Sequence, residues 1–434
     1  MLIEIIFFIA LGILFGTFTG LIPGIHTNLI STIILSLSTS ILFFLGPIYL
    51  IVLISSMAIA HTFISFIPSV FLGCPDTDTE LSVLPGHELL KKGQGYEAIL
   101  FASYGGLVAM IILILIALPS FKIIPSIHNI LLKNISLNLP LINEVSLSIL
   151  ASFLILISIL LLSLEKKRFA AFIVFSLSGI LGLSVLNMNV KEPLLPLLTG
   201  LFGASMLIMT LKTKTEIPQQ NITEEHPHIR ELKKSLASAF LGSLVVSPML
   251  SLLPGLGSGQ AAIIGDTFSR RIKNLRTVFE RRSQDRETDQ KEFLVLLGAT
   301  NTLVMGFSFI ALYLVSRTRT GAAAAIEQIA GNFSFPLFVL VMVAILISGI
   351  TSFFITLFLA KHVSKRINSI SYIKLSWITL ITLLILVMII SGFKGVAVLI
   401  TATITGIYCI SLGVRRTNMM GCLLLPTIIF YLRI

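Results

Sequence analysis

Residues 337–359 read LFVLVMVAILISGITSFFITLFL, a run that contains no charged side chain. A helix of about 20 apolar residues is long enough to cross the roughly 30 Å hydrocarbon core of a bilayer. Residues 101–118 and 147–164 form similar uncharged runs. Because a helix satisfies its own backbone polar groups in lipid, these runs predict a helical protein that crosses the membrane several times.

The composition supports the same class of protein. Of the 434 residues, 55% are hydrophobic and 12% are charged, and the mean hydropathy is +1.00. A soluble protein averages about 25% charged residues, so this chain could not cover itself with a water-facing surface. The net charge of +11 is best interpreted as an excess of Lys and Arg in cytoplasmic loops. We therefore expect no nucleic-acid partner.

The polar connections predict how the chain is divided. The longest are residues 212–234 and residues 269–292, and the second is strongly basic. A shorter, mildly polar stretch, residues 122–144, separates two apolar runs of the first half. We expect a first transmembrane repeat at residues 1–211, a cytoplasmic linker at 212–234 and a second repeat at 235–434. The chain is predicted to lie in the plasma membrane as a multi-pass protein.

Two Pro-Gly breaks interrupt apolar segments and suggest an internal repeat. Residues 20–28 read GLIPGIHTN, and residues 251–259 read SLLPGLGSG. Further along, Ala60-His61-Thr62 is echoed by Thr300-Asn301-Thr302, and residues 71–78 are echoed by residues 313–320. Each half then consists of a broken hairpin and about five crossings, with the hairpins opening to opposite sides. Such inverted repeats are the recurring plan of secondary transporters; the alternative is chance similarity between apolar sequences.

The breaks also predict where a ligand would bind. An interrupted helix at membrane depth must face protein or a wet cavity, and a half-helix with a positive dipole end suits a carboxylate or phosphate. The alternative is that Pro and Gly only kink packed helices and that the small residues only pack. The predicted substrate-binding residues are Pro23, Gly24, His26, Thr27, Asn28, His61, Pro254, Gly255, Gly257, Ser258, Gly259, Gln260, Asn301, Arg317 and Arg319.

Charged segments beside the apolar runs are further candidates. Asp76 and Asp78 are expected to bind a coupling proton or a sodium ion, because ionisable groups at membrane depth are expensive and usually functional. Arg317 and Arg319 occupy the matching place in the second half and could clamp an anion. The alternative for both segments is a solvated surface loop. No enzyme motif or Walker A sequence is present, so we expect no catalysis, no cofactor and no metal site.

Several short motifs resemble one transporter family. Residues 21–24 read LIPG, residues 253–257 read LPGLG, residues 84–98 read LPGHELLKKGQGYEA, residues 299–302 read ATNT and residues 413–416 read GVRR. Together they resemble the large membrane subunit of tripartite tricarboxylate transporters, the TctA-like permeases. The resemblance implies uptake of a carboxylate driven by an ion gradient. It also implies a small membrane subunit and an extracytoplasmic binding protein as partners.

Three functions stay open at this point. The first is a secondary-active carrier of a small organic anion, such as a di- or tricarboxylate, bound between the two hairpin tips. The second is a translocase for a polyprenyl phosphate, which would use the same anion-binding tips with a groove open to lipid. The third is an intramembrane enzyme or a scaffold, against which the missing catalytic constellation argues.

Overall fold

The structure is a computed structural model, helical along most of its described length. It describes the following residues: 2–22, 27, 30–31, 34–35, 46–73, 79, 82–131, 134–139, 142–163, 165–213, 218–220, 236, 240, 243, 258, 261–262, 264–266, 285–318, 320–367 and 372–432.

The described elements follow one another along the chain. Helices α1 to α5 are Leu2–Leu21, Pro47–Ile64, Phe66–Leu72, Val83–Lys91 and Gly95–Leu131. Strands β1 and β2 are Asn134–Leu139 and Ile142–Ser148. Helices α6 to α9 are Ile149–Ser163, Arg168–Leu186, Leu194–Leu198 and Ser205–Thr213, with a π-helical turn, Thr199–Ala204, before α9. Helices α10 to α14 are Asp285–Val315, Gly321–Ala330, Phe335–Arg366, Tyr372–Leu412 and Gly421–Leu432, with a 3₁₀ turn, Arg416–Met420, before α14.

The described part of the chain has the length and polarity of a multi-pass membrane protein. Seven of its helical segments are long and apolar enough to cross a bilayer: Leu2–Leu21, Pro47–Leu72, Gly95–Ile130, Arg168–Leu186, Asp289–Val315, Phe335–Arg366 and Ser376–Leu412. Shorter apolar helices are Ile149–Ser163, Leu194–Met209 and Arg416–Leu432. The helical, polytopic membrane class expected from the sequence is confirmed.

One local feature departs from the expectation for residues 122–144. Helix α5 continues to Leu131 through Pro119 and Pro125, and an antiparallel hairpin of β1 and β2 follows it. The reason is visible in the sequence, because residues 134–139 read NISLNL, a strict alternation of polar and apolar side chains. That period of two favours a strand over a helix.

The helices form two bundles, each with its own buried apolar cluster. The core bundle consists of α1 to α5 and α10 to α12, and its interior includes Phe63, Phe101 and Phe307. The flanking bundle consists of α6 to α9, the π-helical turn, α13 and α14, and its interior includes Phe202 and Cys422. In the core bundle α5 packs most extensively on α10, and α1 packs on α2. In the flanking bundle α14 packs on α7, and α13 packs on the π-helical turn.

Glycines allow the close backbone approach in the core bundle. A Cβ added to Gly298 of α10 would lie 1.9 Å from the carbonyl oxygen of Ala102 on α5. Gly12 and Gly16 of α1 face α2 in the same way, with a Cβ 2.5 Å from a backbone oxygen of Leu53 or Met57. Small residues let membrane helices pack by van der Waals contact where lipid gives no hydrophobic drive.

Glycines also allow close backbone approach in the flanking bundle. A Cβ on Gly182 of α7 would lie 2.0 Å from the carbonyl oxygen of Cys422, and one on Gly421 would lie 2.2 Å from that of Phe175. Helix α13 contains a non-helical residue, Gly392, with φ 65° and ψ −164°. The positive φ is accessible to glycine, and it divides α13 where the sequence predicts separate crossings at 375–391 and 396–412.

Candidate functional site

Two of the membrane spans lie inside the protein rather than against lipid. The most apolar part of Pro47–Leu72 is entirely buried, and that of Asp289–Val315 is 94% buried, whereas the other five spans are only 33% to 44% buried. The two buried spans are α2 with α3 and, in the second half, α10. The polar side chains on these two spans are therefore surrounded by protein rather than by lipid.

The two buried spans meet through corresponding residues of the predicted repeat. The hydroxyl oxygens of Thr62 and Thr302 lie 3.2 Å apart, and Asn301 donates from Nδ2 to the carbonyl oxygen of Thr62 over 3.1 Å. All three side chains are buried. The triplets Ala60-His61-Thr62 and Thr300-Asn301-Thr302, which the sequence pairs by position, are therefore in direct contact.

His61 extends this contact toward the first helix. Its Nδ1 lies 3.0 Å from Oγ1 of Thr19 on α1, and both side chains are buried. The Thr19 hydroxyl can also donate to the carbonyl oxygen of Gly16, 3.1 Å away. We call Thr19, His61, Thr62, Asn301 and Thr302 the central polar cluster. It brings α1, α2 and α10 together. The hydrogen bond from Asn301 to Thr62 joins two helices, and the substrate-binding role of His61 and Asn301 stays a prediction.

The predicted hairpin tips are described at two positions. Thr27 is buried at 3% exposure, and Ser258 is fully buried. The other hairpin candidates lie outside the described residues, so their binding role stays a prediction: Pro23, Gly24, His26, Asn28, Pro254, Gly255, Gly257, Gly259 and Gln260.

Arg317 is not brought to the central polar cluster. It is exposed and follows the end of α10, after Ser316 with φ 48°. At 1.5 Å per residue, the helix between Thr302 and Val315 spans about 20 Å. The proposed anion clamp at Arg317 therefore stays an untested prediction, and Arg319, Asp76 and Asp78 lie outside the described residues.

A second polar contact between the two halves was missed by the sequence reasoning. Lys291 near the start of α10 forms an ion pair of 2.8 Å with Glu97 of α5, and Gln290 donates to Glu88 of α4. Gln220 of the linker accepts from the backbone N–H of Gly95 at 2.9 Å. We call this set the polar seam. Three residues of the polar seam, Glu88, Gly95 and Glu97, lie in residues 84–98, the stretch that resembles the transporter family. That resemblance was the signal in the sequence that could have identified the seam.

His87 of α4 lies beside this seam at the end of the first buried span. It packs against Gly73, whose φ is 64°, and a Cβ there would lie 2.5 Å from the His87 Nε2. Burial, together with the positive charges of Lys91 and Arg416, lowers the pKa of His87 to about 4. The imidazole is therefore neutral near pH 7, as expected when desolvation penalises the charged form.

A buried polar contact between two enclosed spans, in a chain with several further crossings, is the arrangement of a membrane transport protein. Residues 6–421 match the model of the tripartite tricarboxylate transporter TctA family. The chain belongs to that family, as the motifs at residues 21–24, 84–98 and 253–257 suggested. It is a multi-pass transport protein of the plasma membrane, and its family works as one component of a tripartite system with other subunits.

A relative from Methanocaldococcus jannaschii, described as uncharacterized protein MJ1079, is similar along most of its length. It is 31% identical over 384 residues, which cover 87% of this chain and 87% of that protein. No solved structure matches the chain.

Proposed function

We propose that the chain is the permease subunit of a secondary-active carrier for a small organic anion, a di- or tricarboxylate. The anion binds between the two hairpin tips, next to the central polar cluster, and is driven by a proton or sodium gradient. The observation that carries this proposal is the contact between Thr62 and Thr302, 3.2 Å between hydroxyl oxygens, at corresponding positions of the two halves. Related residues meet at the axis of a two-fold arrangement, which is where transporters with inverted repeats bind their substrates.

The packing of the helices supports an inverted repeat. A buried span, a short helix and a long helix follow one another as α2 with α3, α4 and α5, and again as α10, α11 and α12. In an inverted repeat, a helix of one half packs on the other half in the way that its counterpart packs on the first, and the described contacts follow this pattern. Helix α5 packs on α10 as α12 packs on α2, and α11 packs on α2 as α4 packs on α10. In the flanking bundle, α14 packs on α7 as α8 and α9 pack on α13.

The direction of the corresponding helices supports the inversion. Helix α3 ends at Gly73 against His87 of α4, and α4 is bonded to the first turns of α10 through Glu88 and Gln290. The first buried span therefore ends on the side where the second one begins. At the far end of α10, Tyr313 stacks on Phe338 near the start of α12, with ring centroids 4.6 Å apart.

The chemistry of the central polar cluster suits a carboxylate. The described side chains there are hydroxyls, an amide and an imidazole, all of which can donate hydrogen bonds to carboxylate oxygens. The backbone N–H groups at the broken hairpins would add a positive dipole end. We propose that Asp76 and Asp78 bind the coupling ion, and that the partners are a small membrane subunit and an extracytoplasmic binding protein.

The test is uptake of radiolabelled citrate and related acids into proteoliposomes under an imposed proton or sodium gradient. Asn301→Ala and Ser258→Ala should reduce uptake at least 10-fold while the proteins stay monodisperse and folded. Thr351→Ala is the matched control, because Thr351 is exposed on the outer face of α12 and bonds only its own helix, at Ile347. Undiminished uptake in both the Asn301→Ala and the Ser258→Ala proteins would refute the proposed site.

Ligand identity is tested first by thermal unfolding. A molecule that binds only the folded state raises the unfolding temperature by mass action. Stabilisation by di- or tricarboxylates supports the proposal. Stabilisation by a polyprenyl phosphate alone would assign the site to lipid-phosphate translocation instead.

A further inference from the structure

The core bundle is bonded across the two repeat halves. The Glu97–Lys291 ion pair joins α5 to α10 at 2.8 Å, with side chains only 20% and 11% exposed, and Lys291 also lies over the Phe101 ring at 5.7 Å. At membrane depth Asn301 is bonded to Thr62. Separating the halves of this bundle would leave a poorly solvated charge and buried polar groups without partners, which costs several kcal/mol on general grounds.

The flanking bundle is bonded across the halves in the same manner. Asn418, before α14, donates to the buried carboxylate of Glu165, before α7, at 3.1 Å. Lys167 donates to the carbonyl oxygen of Leu412 at the end of α13. The close glycine contacts of this bundle, at Gly182 and Gly421, likewise join α7 of the first half to α14 of the second.

The contacts between the two bundles that the described residues show are apolar. Leu72, at the end of α3, packs against Leu207 of α9 and Leu383 of α13. Ile127 of α5 packs against the apolar cluster that includes α6. Among the described residues, the helix pairs that cross from one bundle to the other pack far less extensively than the principal pairs within each bundle, α5 with α10 and α14 with α7. Apolar contacts are non-directional, so leucines can exchange neighbours without breaking a hydrogen bond.

From this difference we infer that the core bundle moves as one rigid body past the flanking bundle and carries the bound anion with it. This inference rests on the proposed function, since it assigns the central polar cluster, and hence the substrate, to the moving body. It differs from a rocking of one repeat half against the other, because both halves contribute to each bundle. Domain movements of this kind are sliding motions of packed helices.

Two pairs of introduced cysteines distinguish motion of the core bundle past the flanking bundle from rocking of one repeat half against the other. Leu72→Cys with Leu207→Cys joins the two bundles but stays within the first repeat half. Glu97→Cys with Lys291→Cys joins the two halves but stays within the core bundle. Both pairs are introduced after Cys74, Cys409 and Cys422 have been replaced by alanine. Each protein is cross-linked with reversible dithiol reagents of several lengths and assayed for citrate uptake before cross-linking, after it, and after reduction.

Motion of the bundles predicts that the first cross-link lowers uptake at least 10-fold and that reduction restores it. It also predicts that the second cross-link leaves uptake within about twofold of the uncross-linked protein. The reverse pattern, or full uptake with the first cross-link in place, would overturn the inference.

Spin labels at the same positions give a readout that does not depend on transport. In proteoliposomes, the distance between positions 72 and 207 should show two populations that shift when citrate is added. The distance between positions 97 and 291 should show one population that does not shift. A single unchanged distance between positions 72 and 207 would overturn the inference, whereas absent uptake together with two populations would instead count against the proposed substrate.

Discussion

The two enclosed spans and the long lipid-facing helices differ little in hydropathy and greatly in surroundings. Pro47–Leu72 and Asp289–Val315 have mean hydropathies of 2.2 and 1.9, against 2.6 for Phe335–Arg366 and 2.7 for Gly95–Ile130. Yet the first two are 100% and 94% buried in their most apolar parts, and the last two are 44% and 33% buried. Hydropathy therefore identifies a span, but the position of small and polar residues decides whether the span lies inside.

Helix α12 shows the same rule within one helix. Its inner face has Ser348 and Ser352, which are fully buried, and Ser348 donates to the carbonyl oxygen of Ser56 at 2.7 Å. Its outer face has Phe354 and Phe358, which are more than 60% exposed. Because lipid tails are apolar, large apolar residues lose little by facing outward, and small residues facing inward let the helices pack closely.

The largest expected effect comes from truncating an aromatic ring on an enclosed span. Phe63 of α2 is 1% exposed, and its ring lies against Gly106 of α5, where an added Cβ would be 2.4 Å away. Phe63→Ala should lower the free energy of unfolding by about 3–5 kcal/mol, because it leaves a void that the close-packed helices cannot fill. The measurement is reversible unfolding in detergent or bicelles.

Phe354→Ala on α12 is the matched control, since this ring is 64% exposed. Lipid or detergent replaces its contacts, so the change in unfolding free energy should stay below about 1 kcal/mol. Equal losses in the two variants would contradict the division into enclosed and lipid-facing spans.

The sequence predicted the class, the spans and two positions of the central polar cluster, because these depend on local composition and on the similarity of two short triplets. His61 and Asn301 stood out since polar side chains within apolar runs are costly. Thr19 and Lys291 did not stand out. Their meaning depends on which distant helices come together, and a hydroxyl in a helix or a charge near a loop has no local signature.

Each bundle contains helices of both repeat halves. This arrangement could not be predicted either, because it depends on which distant helices come together. The proposed division at residues 1–211 and 235–434 follows the chain, whereas the two bundles follow the packing. Helix α5 finds its closest partner in α10, because Gly105 and Gly298 let their backbones approach. Glycine spacing can suggest that a helix has a close neighbour, but it does not identify that neighbour.

The next expected effect concerns the end of the first enclosed span, where His87 covers Gly73. The pKa of His87, about 4 in the folded protein, lies below the ordinary histidine value of 6.5. Above pH 6.5 both states hold a neutral imidazole, and between pH 6.5 and 4 the unfolded state binds the proton first. Stability should therefore fall as the pH falls through this window, by about 3 kcal/mol in total.

Unfolding of the protein and of His87→Gln, measured at pH 7 and pH 4.5, isolates this contribution. The variant should lose less stability than the parent on acidification, since glutamine does not titrate. Parallel losses in the two proteins would show that His87 is not enclosed as the structure has it.

A smaller effect is expected where the enclosed span α10 touches α5. A Cβ at Gly298 would lie 1.9 Å from the Ala102 carbonyl oxygen, so Gly298→Ala must push the helices apart and should cost about 1–3 kcal/mol. Gly46→Ala is the control, because the nearest atom to an added Cβ there belongs to Tyr49 at 3.8 Å. The control should change the unfolding free energy by less than about 0.5 kcal/mol, and an equal cost at both sites would contradict the close approach.

The smallest expected effect tests the hydroxyl contact between the two enclosed spans. Thr62→Val and Thr302→Val each keep the shape of the side chain and remove one partner of the 3.2 Å contact. Each should cost about 1 kcal/mol, because the remaining hydroxyl is left buried, and the double variant should cost less than the sum of the two. Thr351→Val, on the exposed face of α12, should be close to neutral. Strict additivity of the two cluster variants would mean that Thr62 and Thr302 do not interact, and the described hydrogen bonding between α2 and α10 would then depend on the bond from Asn301 to Thr62.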